Sequence, residues 1–129
     1  MSLPMLGLRH LALYVKNLEA CEKFYTELLG MTVDWRPDAD NVYLTSGRDN
    51  LALHRAPQDF SPSTSQYLDH FGFTLKNADD VTRWFEFLRN QQVKIKTPPK
   101  QHRDHTVSFY CYDPEGNTIQ FIYHPKIQH

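Results

Sequence analysis

Cysteine is scarce: Cys21 and Cys111 are the only two in 129 residues, and they form no C-x-x-C pair. Both occupy apolar positions, so two buried thiols in a reducing compartment are expected in place of a disulfide or redox site. Charge of either sign is also in no excess. Fourteen basic against fifteen acidic residues leave a net charge of −1, which provides neither a basic field for nucleic acid nor an acidic tail for cations. Long apolar runs are missing, and Met1 to Gly7 carries no charge ahead of its apolar residues, so neither a signal peptide nor a membrane span is expected. These absences predict a cytoplasmic protein with no nucleic-acid or membrane partner, whose ligands are small molecules or copies of itself. The chain also has no G-x-G-x-x-G, P-loop, G-x-S-x-G or H-E-x-x-H motif, which leaves dinucleotide, phosphate-loop, serine-hydrolase and zincin chemistry without a foothold.

What is present describes a globular chain. Forty per cent hydrophobic, 22% charged and 13% aromatic residues in 15.2 kDa fit one domain over residues 1–129, built of two small halves. A chain of this size hides roughly two thirds of its extended surface on folding, enough for a core without disulfide staples.

The two halves are one pattern written twice. Leu8 to Val33 aligns without a gap on Leu68 to Val93 at a shift of sixty, with identities at Leu8/Leu68, His10/His70, Lys16/Lys76, Asn17/Asn77, Leu28/Leu88 and Val33/Val93. The pattern class repeats as well: an alternating strand, an Asn suited to capping a helix, then an amphipathic helix. The apolar stripes are Cys21, Phe24, Tyr25, Leu28 and Leu29 in the first helix and Val81, Trp84, Phe85 and Leu88 in the second. Gly30 and Asn90 are the expected left-handed caps.

Short strands follow each helix, about Thr32 to Trp35, Val42 to Thr45 and Leu51 to His54, then Val93 to Lys96, Val107 to Tyr112 and Thr118 to Tyr123. Ser46 to Asp49 and Asp113 to Gly116 are rich in turn formers and read as hairpins. The prediction is an α+β fold of two βαβββ modules, residues 8–55 and 66–124, joined by a polar linker over 56–65 that carries Pro57 and Pro62. Their sheets, mostly antiparallel, are expected to curve into a trough with the helices on the outer face, a concave surface suited to a ligand.

Because successive strand residues face opposite sides, the open faces take His10, Ala12 and Tyr14, then His70, Gly72 and Thr74, Ala52 and His54, and finally Thr118, Gln120 and Ile122. Two imidazoles and an oxygen donor are the usual shell of a divalent metal that keeps open positions for substrate. The same duplicated polar residues equally suit anchoring a dimer or an organic ligand. His102 falls in the polar run Pro99 to His105, which by composition is a solvated loop, locally basic through Lys100, Arg103 and His105 and suited to a carboxylate. Tyr110 by itself is an ordinary strand aromatic, and His124 and His129, in the tail, receive no role.

The doubled unit, the opening R-H-L-A-L-Y-V, the second L-D-H-F-G-F-T-L and the closing D-P-E-G-N-T-I-Q-F resemble the vicinal oxygen chelate superfamily. It includes glyoxalase I, fosfomycin and bleomycin resistance proteins, methylmalonyl-CoA epimerase and extradiol dioxygenases. The resemblance implies that His10 and His70 are metal ligands and that Gln120 stands where most metal-binding members have Glu. The implied cofactor is a divalent metal, Fe, Mn, Ni, Co or Zn. The run from His102 to Gln120 is similar to the extradiol dioxygenase signature, which implies that His102 and Tyr110 are catalytic groups beyond the ligands, although Lys100 and Gln120 depart from it. On this basis the expected activity is that of a dioxygenase- or lyase-type metalloenzyme whose substrate chelates through neighbouring oxygens, with Tyr14 and His54 as substrate-binding residues. The alternative is a metal-free binding protein, resembling bleomycin resistance proteins, that holds a ligand on Tyr14, Tyr110 and nearby rings. Members of the superfamily commonly pair, so a homodimer is expected.

Overall fold

A computed structural model of the protein describes residues 3–127. The chain forms two compact units that divide between Ser61 and Pro62, inside the polar stretch 56–65. The first holds β1 (His10–Val15), α1 (Leu18–Lys23), a π-helical turn (Phe24–Leu28), β2 (Thr32–Asp38), β3 (Asn41–Thr45) and β4 (Asn50–Arg55). The second holds β5 (Phe71–Leu75), α2 (Ala78–Asn90), β6 (Ile95–Gln101), β7 (Val107–Tyr112) and β8 (Thr118–Tyr123). Each unit is thus a βαβββ module with its own four-stranded mixed sheet, ordered β1-β4-β3-β2 and β5-β8-β7-β6. β1 pairs with β4, and β5 with β8, in parallel, and the remaining neighbours are antiparallel.

Strand alternation divides each sheet as the sequence predicts. In the first unit Leu13, Val15, Val42, Leu44, Leu51 and Leu53 are buried with Leu18, Cys21, Phe24 and Tyr25 of the helical segment. In the second, Trp84 stacks on Phe121 at 5.3 Å, Phe121 stacks on Phe73 at 5.6 Å and on Phe109 at 5.1 Å, and Phe85 meets Phe109 edge-on at 5.5 Å. Those rings form one side of the sheet, and period-2 geometry sends Tyr110, Gln120 and Ile122 to the other. Cys21 and Cys111 are both buried thiols, and burial pushes the Cys111 thiol up to about 12.

The helix ends follow local chemistry. Asn17 Oδ1 accepts from the Ala20 N–H at 3.0 Å, and the Asn77 N–H donates to Asp80 Oδ2 at 3.2 Å, which satisfies donors that a helix start leaves orphaned. Two details differ from expectation. The first helix loosens into a π turn, with the Leu29 N–H bonded to Phe24 O, so Phe24 and Tyr25 are buried while Leu28 and Leu29 are only half-buried. Gly30 does take the left-handed conformation (φ +80°), but α2 is still wound at Asn90, because the Gln91 N–H bonds back to Phe87 O and Leu88 O, and the left-handed residue is Gln92 (φ +63°).

The hairpin predicted at Asp113 is built around that residue. Its Oδ1 accepts from the Glu115 and Asn117 N–H groups at 2.9 Å each, and Gly116 supplies the positive φ (+87°) that the turn needs. β6 runs further than predicted, to Gln101. Its two prolines are tolerated because it is an edge strand, and its pairing with β7 slips between Thr97 and Lys100. The expected loop from Pro99 to His105 is therefore strand through Gln101 and a tight turn only beyond it. Among the described residues no helix is long and apolar enough to cross a membrane.

Candidate functional site

The second unit brings three of the predicted residues together. His70 precedes β5 by one position, and its imidazole meets the Tyr110 ring edge-on at 5.1 Å. Tyr110 pairs with Gln120 across β7 and β8, and Gln120 pairs with Gly72 across β8 and β5. Glycine at 72 has a steric reason. A β-carbon there would stand 3.0 Å from the Gln120 carbonyl oxygen and 3.4 Å from its Cβ, tighter than a sheet tolerates without shifting. The missing side chain leaves the ground between His70 and Gln120 open.

His70 is oriented by a residue that the sequence did not single out. Its Nδ1 lies 2.7 Å from Asp69 Oδ2. A carboxylate oxygen only accepts, so Nδ1 is the donor, and in the neutral imidazole Nε2 then keeps its lone pair. The imidazole beside Asp69 holds that carboxyl below the usual carboxylate range. Carboxylate-held imidazoles of this kind are the common arrangement behind metal-binding histidines.

In the first unit, His10 opens β1 opposite Asn50 of β4, and its Nδ1 donates to Asn50 Oδ1 at 2.8 Å. An amide oxygen likewise only accepts, so in the neutral ring Nε2 of His10 also keeps its lone pair. The two repeat-related histidines therefore share one tautomer, each imposed by a different oxygen. Tyr14 and His54 are also neighbours in the parallel register, with rings 6.3 Å apart, and His54 Nδ1 donates to Asn41 Oδ1 at 2.6 Å. They form part of a row of rings across the open face of the sheet: Trp35, Tyr43, His54, Tyr14 and Phe60, at successive centroid distances of 5.2, 5.9, 6.3 and 5.9 Å. Tyr14 is 61% and Trp35 59% exposed. Along the strand, Tyr14 stands about 13 Å from His10, so these two side chains serve different ground.

His102 is not a solvated loop residue. Its Nε2 lies 3.0 Å from the hydroxyl of buried Ser108, and its backbone N–H donates to Thr106 O at 2.8 Å, closing the turn between β6 and β7. Beside this turn is a cavity of about 660 Å³, lined on the strand side by Tyr110, Gln120 and Ile122 and on the turn side by Lys100, His102, Arg103 and His124. His124, which the sequence left without a role, is at its edge, and His129 lies outside the described residues. Asn50, Asn41 and Ser108 were missed because each acts on its histidine through strand pairing or turn closure that spacing alone does not reveal, and Asp69, the sequence neighbour of His70, because adjacency alone does not show which way a side chain turns.

Among the described residues no three His, Cys, Asp or Glu side chains gather into a metal-binding group. The donors to be weighed are, in the second unit, the His70 imidazole and the Gln120 amide and, in the first, the His10 imidazole; nitrogen and neutral-oxygen donors of these kinds suit a divalent ion.

The family model of the Glyoxalase/Bleomycin resistance protein/Dioxygenase superfamily matches residues 7–121. The chain belongs to this superfamily. It is 35% identical over 118 residues to the glutathione transferase FosA of Serratia marcescens, covering 88% of this chain and 78% of that protein. A 3-methylcatechol 2,3-dioxygenase of Pseudomonas putida is 26% identical over 125 residues, and there the match spans 89% of this chain but only 41% of the relative. Among solved structures, a lactoylglutathione lyase from Agrobacterium tumefaciens superposes with a TM-score of 0.76 at 21% identity, over 93% of this chain and 95% of the other, a likeness of fold.

Proposed function

We propose that the protein is a metal-dependent enzyme acting on a small molecule that chelates the metal through neighbouring oxygens. The observation that carries this is His70, with Asp69 fixing its proton on Nδ1 and Nε2 left free, beside Tyr110 and the Gln120 amide that Gly72 leaves uncovered. His70 and Gln120 are the proposed ligands from the second unit, and His10 is the imidazole supplied by a first unit. Bound there, a divalent ion would act as a Lewis acid toward a developing oxyanion. Gln120 contributes a neutral oxygen where a carboxylate would cancel charge, so the ion is held less tightly and stays more electrophilic.

The remaining roles belong to the cavity. With Nε2 of His102 engaged by Ser108, Nδ1 is the nitrogen left to exchange a proton with a bound molecule. The Tyr110 phenol can donate a hydrogen bond to an oxygen held at Gln120. Group transfer is favoured over ring cleavage by the relatives: 35% identity over 78% of the transferase, against 26% over 41% of the dioxygenase. The partners proposed are a small-molecule substrate and a second copy of the chain.

The experiment is elemental analysis of untagged protein before and after dialysis against chelator. Stoichiometric Fe, Mn, Ni, Co or Zn is expected, lost in His70→Ala and bound more tightly in Gln120→Glu. Metal-free protein whose ligand binding ignores chelator would overturn the proposal. It would favour a binding module, a second function suggested by the exposed ring row from Trp35 to Phe60.

A further inference from the structure

The two halves of the chain treat their repeat-related histidines differently. His10 follows Arg9 and His70 follows Asp69, so equivalent positions of the repeat carry opposite charge. His10 Nδ1 is held at 2.8 Å by Asn50 Oδ1, a neutral amide oxygen, and His70 Nδ1 at 2.7 Å by Asp69 Oδ2, a carboxylate oxygen. His54 and His102 also take neutral side-chain partners, the Asn41 amide at 2.6 Å and the Ser108 hydroxyl at 3.0 Å. Among the described residues, His70 is the one histidine whose ring is bonded to a carboxylate.

Orientation does not require that charge. Asn50 shows that an amide oxygen holds an imidazole by Nδ1 at nearly the same distance. What a carboxylate adds is electron density: an Nδ1–H shared with it makes the opposite nitrogen the stronger donor. The effect is confined to the bond, because the Asp69 side chain is 88% exposed and water screens its charge at longer range. The other proposed ligand of this unit brings no charge. Gln120 pairs with Gly72, two residues along from His70. Asp80, Asp104 and Asp113 bond within their own helix start or turns, and Asp69 is the carboxylate bonded to a proposed ligand.

We propose that Asp69 supplies, through the His70 ring, the negative charge that Gln120 does not bring to a divalent ion. The charge of the site is carried behind an imidazole instead of on a donor atom. Asp69 touches neither ion nor substrate and acts through His70. The inference rests on the metal-dependent reading above and deepens it, separating the charge of Asp69 from its hold on the ring.

The test is cobalt(II) binding, by competition with a chromophoric chelator, in the parent and in Asp69→Asn, Asp69→Ala, Gln120→Glu and Asp69→Asn/Gln120→Glu. Nitrogen-resolved NMR follows the His70 ring in the metal-free proteins. Asparagine keeps an acceptor oxygen and loses the charge, whereas alanine loses both. Asp69→Asn should weaken cobalt binding at least tenfold, nearly as far as Asp69→Ala, while the His70 proton stays on Nδ1. Adding Gln120→Glu to Asp69→Asn should restore affinity to within about threefold of the parent, a larger gain than the same change gives the parent. Asp69 is exposed and glutamate matches glutamine in size, so these variants should fold, which their amide spectra check. Asp69→Asn that binds cobalt like the parent, with Asp69→Ala alone impaired, would reduce Asp69 to a holder of the ring and overturn the proposal. So would a loss that Gln120→Glu fails to repair, or an Asp69→Asn ring whose proton has left Nδ1. Each of these leaves the metal-dependent reading standing. A parent protein that takes up no cobalt would overturn that reading, and this proposal with it.

Discussion

Gly72→Ala tests whether the site depends on a close approach between strands. The added methyl would sit 3.0 Å from the Gln120 carbonyl oxygen and 3.4 Å from its Cβ. Neither strand can yield freely. Gly72 is paired to Gln120 within a parallel ladder running from Phe71 to Leu75, and Gln120 is also paired to Tyr110. Overpacking of this kind costs about 1–3 kcal/mol, while replacing glycine by alanine returns about 0.5–1 kcal/mol of chain entropy. The middles of these two ranges leave a net loss of about 1 kcal/mol. With a urea slope near 2 kcal/mol/M, the unfolding midpoint falls by roughly 0.5 M with the slope unchanged. Trp84, stacked on Phe121 in the same unit, is the fluorescence reporter. Metal content should fall in the folded variant too, because the methyl displaces Gln120. An alanine variant as stable as the parent, or more so, would refute the steric account of Gly72.

Four further outcomes are expected. Phe121→Ala removes a fully buried ring stacked against Phe73, Trp84 and Phe109 and should cost about 3–5 kcal/mol in denaturant unfolding. Asp69→Asn removes the carboxylate behind His70 and should weaken metal binding by roughly 10–100-fold in competition with a chromophoric chelator, with little change in stability. Cys111, pushed up to about 12 by burial, should stay unreactive toward a disulfide reagent at pH 8 in folded protein and react at once in denaturant. Hydrogen bonding to Arg55 lowers the Glu19 carboxyl to about 2 from 4.5. Its contribution is therefore present above about 4.5 and is lost as pH falls toward 2, so the acid-side drop in stability should be shallower in Glu19→Gln and should diminish in high salt.

The repeat of sixty residues, the alternation in each strand and the two capping asparagines were enough to predict two βαβββ modules with buried helices, and β7 and β8 fall on their predicted residues. Those features are local: a two-residue period and a helix stripe are properties of neighbouring positions. The same period placed Gln120 on the face opposite Phe121, where the stacked rings of Phe73, Trp84 and Phe109 lie. It could not foresee that β6 continues through two prolines to Gln101, because an edge strand is defined by the absence of a neighbour beyond it. Nor could it foresee the π turn at Phe24, where packing of Phe24 and Tyr25 prevails over a regular stripe.

For the site the division is similar. The sequence by itself determined the candidate donors, His10, His70 and Gln120, because duplication repeats a histidine at one strand position and alternation fixes which face each residue takes. Only the tertiary structure decided how those side chains are held: Asp69 and Asn50 fix the imidazole protons, Gly72 keeps Gln120 uncovered, and Ser108 anchors His102. It also decided that Lys100, Arg103 and His124 face one cavity. The Asp69 contact joins sequence neighbours and the Ser108 contact lies within one hairpin; the others depend on register between strands far apart in sequence, and register is set by the packing of the whole sheet, which no stretch of residues specifies alone.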